Sequence, residues 1–470
     1  MINVPPWAAA SDAPTGCDVV SVRRSGLVAA FAAVLALGSA APVAAETLTE
    51  ALAAAYSDNP TLNAQRAALR ATDEGVPQAL AGFRPTVTGS ADIGISDTDS
   101  GPVTYPGGLR LTVEQPLFTG HRTKNGVKIA ETAVLAGRQA LRNVESNILL
   151  SAATAFMDLV QAQAILNLRQ QNVSFQTEQV RAAQDRLSVG EGTRTDVAQT
   201  EAARAAGRSQ VNAAIASLNA AIAVYEQVIG HQPNTLGYAT PVESRLPRTL
   251  DEAIAIADAH APAILLARYN LDIAAFNVKV AEGALLPTAG LTGTLSHRAD
   301  SSGPGTHSNS ASLVLGVSVP IGTGGESSSK VRQAKETLSQ RRIELDAARA
   351  ATRQAVISAW GMLDAARAQI VAANARVDAE RLVLSGVTEE RKVGQRTTLD
   401  VLNAQQDLLD ARVGQVSAQH DRVVAAYALL AAIGKLDAAE LQLPVRRYDP
   451  DVHYTKVRDL WSGLRTPDGR

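Results

Sequence analysis

Aromatic residues make up only 4% of this 470-residue chain, which leaves little material for the bulky layered cores of ordinary multidomain proteins. There is one cysteine, Cys17, so the rest of the chain can form no intramolecular disulfide and no cysteine-based metal site. An excess of charge is also missing: 44 Lys and Arg against 46 Asp and Glu leave a formal charge of -2, without the basic balance of a nucleic-acid binder. Long apolar runs are absent too. The strongest one, Leu27 to Leu37, is far short of the roughly 20 residues that span a bilayer as a helix.

Catalytic inventory is thin as well. His121, His231, His260, His297, His307, His420 and His453 show no paired metal-ligand spacing, and neither a Gly-x-Ser-x-Gly elbow nor a phosphate-binding loop occurs. The Gly322 to Gly325 stretch reads as a strand-to-helix turn. The chain is therefore expected not to be an enzyme and to need no cofactor. Arg23 and Arg24, the apolar run after them and Val43-Ala44-Ala45 have the three parts of a secretory signal, so residues 1–45 are read as a signal peptide cleaved after Ala45.

What is present is a repeat. Thr47-Leu48-Thr49-Glu50-Ala51 returns as Thr249-Leu250-Asp251-Glu252-Ala253, and Asn59-Pro60 as Ala261-Pro262, at an offset of about 202. Later the offset becomes about 204: Val189-Gly190 answers Val393-Gly394, Asp196-Val197 answers Asp400-Val401, and Ile229-Gly230 answers Ile433-Gly434. The repeats are read as residues 46–246 and 247–435, followed by a tail, 436–470. Each repeat is predicted to run short helix, strand, loop, strand, long helix, tight break, short helix.

The strands are predicted near residues 86–96, 109–116, 287–297 and 312–320. Val87, Ala91, Ile93 and Ile95 alternate with Thr86, Thr88, Ser90, Asp92 and Ser96, and Leu109, Leu111 and Val113 alternate with Arg110, Thr112 and Glu114. A soluble sheet with one wet face would satisfy the same alternation. Their length suits a tilted membrane strand. Four strands cannot close a barrel, and an open edge in lipid would leave unpaired backbone groups. Two chains would supply eight strands and a filled lumen, whereas three would supply twelve and leave room for a passage. Three is the expected number, and Asp92, Arg110 and Glu114 would then face the lumen with mixed charge.

No proline interrupts Thr123 to Ser188, and apolar residues keep a seven-residue spacing there. Val127, Val134, Leu141, Ile148, Ala155 and Ala162 form one row, and Ala152, Leu159, Leu166, Val173, Val180 and Leu187 the other. The second repeat reproduces both, with Val331, Leu338 and Leu345, and with Val356, Leu363, Ile370, Val377 and Leu384. Such rows are coiled-coil seams with a left-handed supercoil, on rods about 100 Å long. Helices near 48–81, 195–229, 250–283 and 399–433 are each about half that length, so that two end to end would match one rod.

The pattern Leu48-x-x-Ala51-Leu52, Asn59-Pro60, Ala64-Gln65-Arg66, Gly82-Phe83-Arg84-Pro85, Gln115-Pro116-Leu117-Phe118-x-Gly120 and Val393-Gly394-x-Arg396-Thr397-x-x-Asp400-Val401-Leu402 closely resembles TolC-type outer-membrane efflux proteins. The likeness covers nearly the whole chain after residue 45, and the subgroup resembles the type I secretion branch. It implies a mainly α protein with a membrane β part: a homotrimeric, twelve-stranded β-barrel, four strands per chain, continued by a long α-helical coiled-coil barrel. It further implies residence in the cell outer membrane with extension into the periplasm, contact with outer-membrane lipid, and docking onto a periplasmic adaptor protein and an inner-membrane transporter. The protein would be a passive exit duct for proteins or small toxic molecules. A periplasmic adaptor, which also has coiled-coil hairpins and an export signal, is the alternative.

In that family the two helix breaks form the periplasmic tip. The resemblance sets Asp400 and Asn403 on gate positions, and Arg396, Thr195 and Asp196 on links between coils. The family's Tyr partner of Asp196 is replaced by Arg391, so an Arg391 to Asp196 ion pair would serve in its place. Asp400 and Asp196 also stand where a carboxylate caps a helix. For Arg396 the plainer reading is a solvated surface arginine. Gly190 and Gly394 are read as helix breaks in left-handed conformation.

Overall fold

The fold is that of a computed structural model, which describes residues 45–99, 101–237, 242–467 and 469; the expected signal segment lies outside them apart from Ala45. The first repeat contributes helices α1 (Leu48–Asp58), α2 (Pro60–Asp73) and α3 (Gly75–Ala81), strands β1 (Thr86–Ile93) and β2 (Gly107–Phe118), and helices α4 (Arg122–Ser188) and α5 (Arg194–Ile229). The second contributes α6 (Leu250–His260), α7 (Pro262–Gly283), β3 (Thr288–Ala299), β4 (His307–Ser318), α8 (Glu326–Lys392) and α9 (Thr398–Ala432). Both long helices have 67 residues.

The helices before the strands are not continuous over the expected spans. Each breaks at its proline, because the residue before a proline is driven out of the α region. Asn59 has φ -61° and ψ 121°, and Ala261 has φ -60° and ψ 122°. Asn59 turns the break into a cap, its Oδ1 accepting from the backbone of Thr61 and Leu62. The duplicated Thr-Leu-x-Glu starts are caps too, with Thr47 accepting from Glu50 N and Thr249 from Glu252 N. These breaks receive the ends of the shorter coil helices. Asn59 Nδ2 donates to Val228 O near the end of α5 at 2.9 Å, and Gly434, just after α9, packs against His260 and Ala261.

Heptad positions bury where helices pair. In α4, Val134, Leu141, Ala152, Ala155, Leu159, Leu166 and Val180 are buried; in α8, Val331, Leu345, Val356, Leu363 and Val377 are buried. Bulk is concentrated at mid-length, where Leu52, Phe156, Tyr225, Leu363, Leu429, Ile433 and Leu436 join one core. Toward the helix turns the packing thins to narrow seams, such as Val377 with Leu408 and Ala411. A thin seam needs few aromatics, which accounts for their scarcity. α4 carries a window long and apolar enough to cross a bilayer, yet Leu149, Ala152, Ala153, Phe156 and Leu159 of α4 lie in the mid-length core.

The strands form one antiparallel sheet in the order β1-β2-β3-β4, leaving β1 and β4 as edges. Its register sorts side chains by character. Thr88, Thr112, Thr294 and Ser312 form one row across the sheet, and Ser90, Arg110, Ser296 and Ser310 the next. On the opposite face Val87 meets Val113, Leu111 meets Leu295, and Leu291 meets Leu315. β4 begins five residues earlier than its alternation suggested. Ser308, Asn309 and Ser310 have loop-like composition, but Arg298, His297 and Ser296 pair with them, so the hairpin turn shrinks to about residues 300–306. Asp300 at φ 56° closes it, its Oδ1 accepting from Gly305 N.

At the junction of sheet and helices, Gly120 and Gly283 approach so closely that a Cβ on either would collide with the other's carbonyl oxygen. The tail after α9 folds back onto the helices rather than trailing free, and carries a last helix, α10 (Pro450–Val457). Leu436, Ala438, Leu441, Leu443 and Val457 are buried in it, and Ala438 N donates to Glu145 Oε1 of α4 at 2.8 Å.

Candidate gate at the helix turns

The turns joining α4 to α5 and α8 to α9 are built alike. Gly190 and Gly394 both have φ +82°, a left-handed conformation that a Cβ disfavours. Around each, the last turn closes with paired backbone bonds: Gly190 N to Leu187 O and Glu191 N to Arg186 O, then Gly394 N to Arg391 O and Gln395 N to Glu390 O. This is the Schellman arrangement, which satisfies carbonyls that a helix end would otherwise orphan.

Three residues on, the next helix starts with a capping box in both repeats. Thr193 N and Oγ1 donate to Asp196 Oδ2 at 3.1 and 2.7 Å, while Asp196 N donates to Thr193 Oγ1. Thr397 N and Oγ1 donate to Asp400 Oδ2, both at 2.8 Å, while Asp400 N donates to Thr397 Oγ1. The Thr397 backbone and hydroxyl hold the Asp400 carboxyl below the usual carboxylate range, with Arg396 adding a smaller effect. Asp400 is therefore an anion bound to its own helix start. Asn403 lies exposed one turn further along α9, on the same side as Asp400.

The four link candidates are not brought together within one chain. Arg396 Nε donates to Glu390 Oε2 at 2.9 Å, an ion pair inside its own turn, and Thr195 is exposed. Arg391 does not reach Asp196. Its Nη1 donates instead to Gln179 Oε1 of α4 at 3.0 Å, while the Asp196 carboxylate caps its own helix through Thr193. Burial lowers the readiness of the Arg391 guanidinium to hold its proton, and nearby Arg186 adds to this.

Gln179 belongs to a set that apolar periodicity did not reveal. From α4, Asp158 meets His420 at 2.8 Å, Gln161 meets Ser417 at 3.0 Å and Asn172 meets Gln405 at 3.2 Å, all on α9. These polar contacts tie one hairpin of helices to the other at several heights. A signal did exist, since Asp158, Asn172 and Gln179 fall on one seven-residue row.

The profile of the Outer membrane efflux protein family matches residues 51–231 and 253–435, one span in each repeat. The chain is 48% identical over 426 residues to the outer membrane efflux protein BepC of Brucella suis biovar 1, covering 90% of this chain and 93% of that one. It is 26% identical over 342 residues to the alkaline protease secretion protein AprF of Pseudomonas aeruginosa, covering 71% and 70%. Among solved structures, the CmeC outer membrane channel of Campylobacter jejuni superposes with a TM-score of 0.75 at 17% identity, covering 87% of this chain and 89% of that one.

Proposed function

Because the chain belongs to the outer membrane efflux protein family, we propose that three copies join their sheets into one twelve-stranded barrel and serve as the passive exit duct of an export machine. The protein is an outer-membrane channel of an efflux or secretion system, with its helices extending into the periplasm. The adaptor alternative is set aside by the same relatives, which are named as outer-membrane efflux and secretion proteins. We read the chain as a conduit without catalysis of its own.

The observation that carries the trimer is the open four-stranded sheet. Its apolar face exposes Val87, Leu109, Leu313, Leu315 and Val317, and β1 and β4 leave their outer backbone groups unpaired. In hydrocarbon each unpaired group costs several kcal/mol, so β4 of one copy must pair with β1 of the next. α8 supports this, since its exposed Ile343, Ile357 and Val371 stand fourteen residues apart, as a seam awaiting another copy would.

In the trimer Asp400 and Asn403 of three copies would ring the periplasmic mouth, with three carboxylates rather than six. Arg396, Thr195, Asp196 and Arg391 would restrain the turns near it. A periplasmic adaptor and an inner-membrane transporter would dock there and supply the energy, since the chain has no phosphate-binding loop. Single-channel conductance in planar bilayers tests this. Small conductance that rises with Arg396→Ser, and block by a multivalent cation that vanishes with Asp400→Ala, are the expected results. Folded protein that forms no channel would overturn the reading.

A further inference from the structure

The tail climbs toward the sheet along α4. Tyr448 N donates to Tyr56 Oη at 2.9 Å, Asp451 pairs with Arg138, buried His453 meets buried Asp73 at 2.9 Å, and Arg458 reaches Glu131 at 3.3 Å. At 1.5 Å per residue, Arg138 lies about 24 Å from the start of α4 and Glu131 about 13 Å, so each contact is nearer the sheet. The last one is at its foot. Arg84, two residues before β1, donates from Nη1 to Leu460 O at 2.9 Å and from Nη2 to Asp459 O at 3.4 Å. Its guanidinium also lies over the Trp461 ring, 4.8 Å from the centroid.

All this restraint delivers apolar side chains to solvent. Trp461 is 66% exposed, Leu464 fully exposed, Leu460 42% exposed, and Phe83 beside Arg84 is 50% exposed. A tail built only to close the helical core would bury such residues, as it does Val457. Tryptophan and leucine next to arginines, at the level where membrane strands begin, are the chemistry of a membrane interface, where an indole sits among headgroups and guanidinium meets phosphate.

We propose that Leu460, Trp461 and Leu464 form a membrane anchor that dips into the phospholipid surface on the periplasmic side, beside the foot of the barrel. The occupant of this patch is lipid because the patch is seated on Arg84 beside exposed Phe83, just before β1 begins, and because exposed Arg465 borders it with charge suited to phosphate. The proposal rests on the barrel reading above and adds to it a second, non-barrel contact with the same membrane.

The sequence has three tryptophans, Trp7, Trp360 and Trp461, so the full chain with Trp7→Phe and Trp360→Phe reports on Trp461 alone. It is reconstituted into phosphatidylcholine vesicles with or without acyl chains brominated near the carbonyl end. Barrel insertion is read separately, from heat-modifiable electrophoretic migration. With the barrel inserted, blue-shifted emission that brominated lipid quenches and aqueous acrylamide does not is expected. Quenching by acrylamide alone would overturn the anchor in favour of a solvated tail, and shielding from both quenchers would overturn it in favour of a contact between copies. Failure of the barrel to insert would be a failure of the channel reading itself, and the anchor would fall with it.

Discussion

Arg422 and Glu243 form a two-point fork, with Nε donating to Oε1 at 2.6 Å and Nη2 to Oε2 at 3.0 Å. Glu243 lies in the connector between the repeats, in a short 3-10 turn, and Arg422 lies on α9; Arg367 of α8 approaches the same carboxylate at 3.7 Å. One acidic side chain thus fastens the connector to both coil helices of the second repeat.

Arg422→Lys keeps the charge and loses the fork. It is expected to lower stability by about 1 kcal/mol, since the pair is only partly buried. A thermal midpoint by circular dichroism equal to that of the parent protein would contradict this. The Arg422 bonds, helped by Arg367, hold the Glu243 carboxyl below its ordinary value of 4.5. Because the folded value is depressed, the contribution is complete above pH 4.5 and is lost as pH falls through the depressed value. The Arg422→Lys penalty should therefore shrink in acid.

Asp400→Asn separates the capping role of this residue from the gate role proposed for it. Asparagine still accepts the cap hydrogen bonds, so helix content and midpoint should stay near those of the parent, whereas Asp400→Ala should cost about 1 kcal/mol. Cation block should be lost in both. If block survived in Asp400→Asn, the carboxylate would have no part in the gate.

At Gly394 a methyl group meets open space, so only the left-handed backbone opposes it. Gly394→Ala is expected to cost about 1 kcal/mol, with Gly394→Asn milder because asparagine tolerates that conformation. Gly190 has the same φ and should behave alike. Differential scanning calorimetry of the four variants decides it, and an alanine variant as stable as the parent would remove the strain account.

His453→Ala leaves Asp73 buried without its partner, at an expected cost of about 3 kcal/mol to the docked tail. Trypsin should then cut at Lys456 and Arg458 far faster than in the parent, and equal rates would show that the pair does not hold the tail. Burial, the dominant influence, raises the Asp73 carboxyl above 3.8, against the lowering effect of His453. A raised acid favours the folded state while protonated, so the Asp73 contribution is full below pH 3.8 and is lost as pH rises through the raised value. The tail of the His453→Ala variant should therefore become more resistant to trypsin as pH is lowered from neutral.

The sequence by itself determined the duplication, the two long helices and the apolar and polar faces of the strands, because each is written in spacing along one chain. Periods of seven and two depend only on which side of a helix or strand a residue occupies. Capping was legible for the same reason, since Thr397 and Asp400 are three residues apart. The early start of β4 was not, because Ser308 to Ser310 become strand only through the partners that β3 supplies. Nor were the destinations of long polar side chains: Arg391 reaches Gln179 instead of Asp196, and His420 reaches Asp158. Only the tertiary structure decided those, and the seat of Trp461 against Arg84, because residues hundreds of positions apart meet where the packing of helices brings them and where a free donor or acceptor remains.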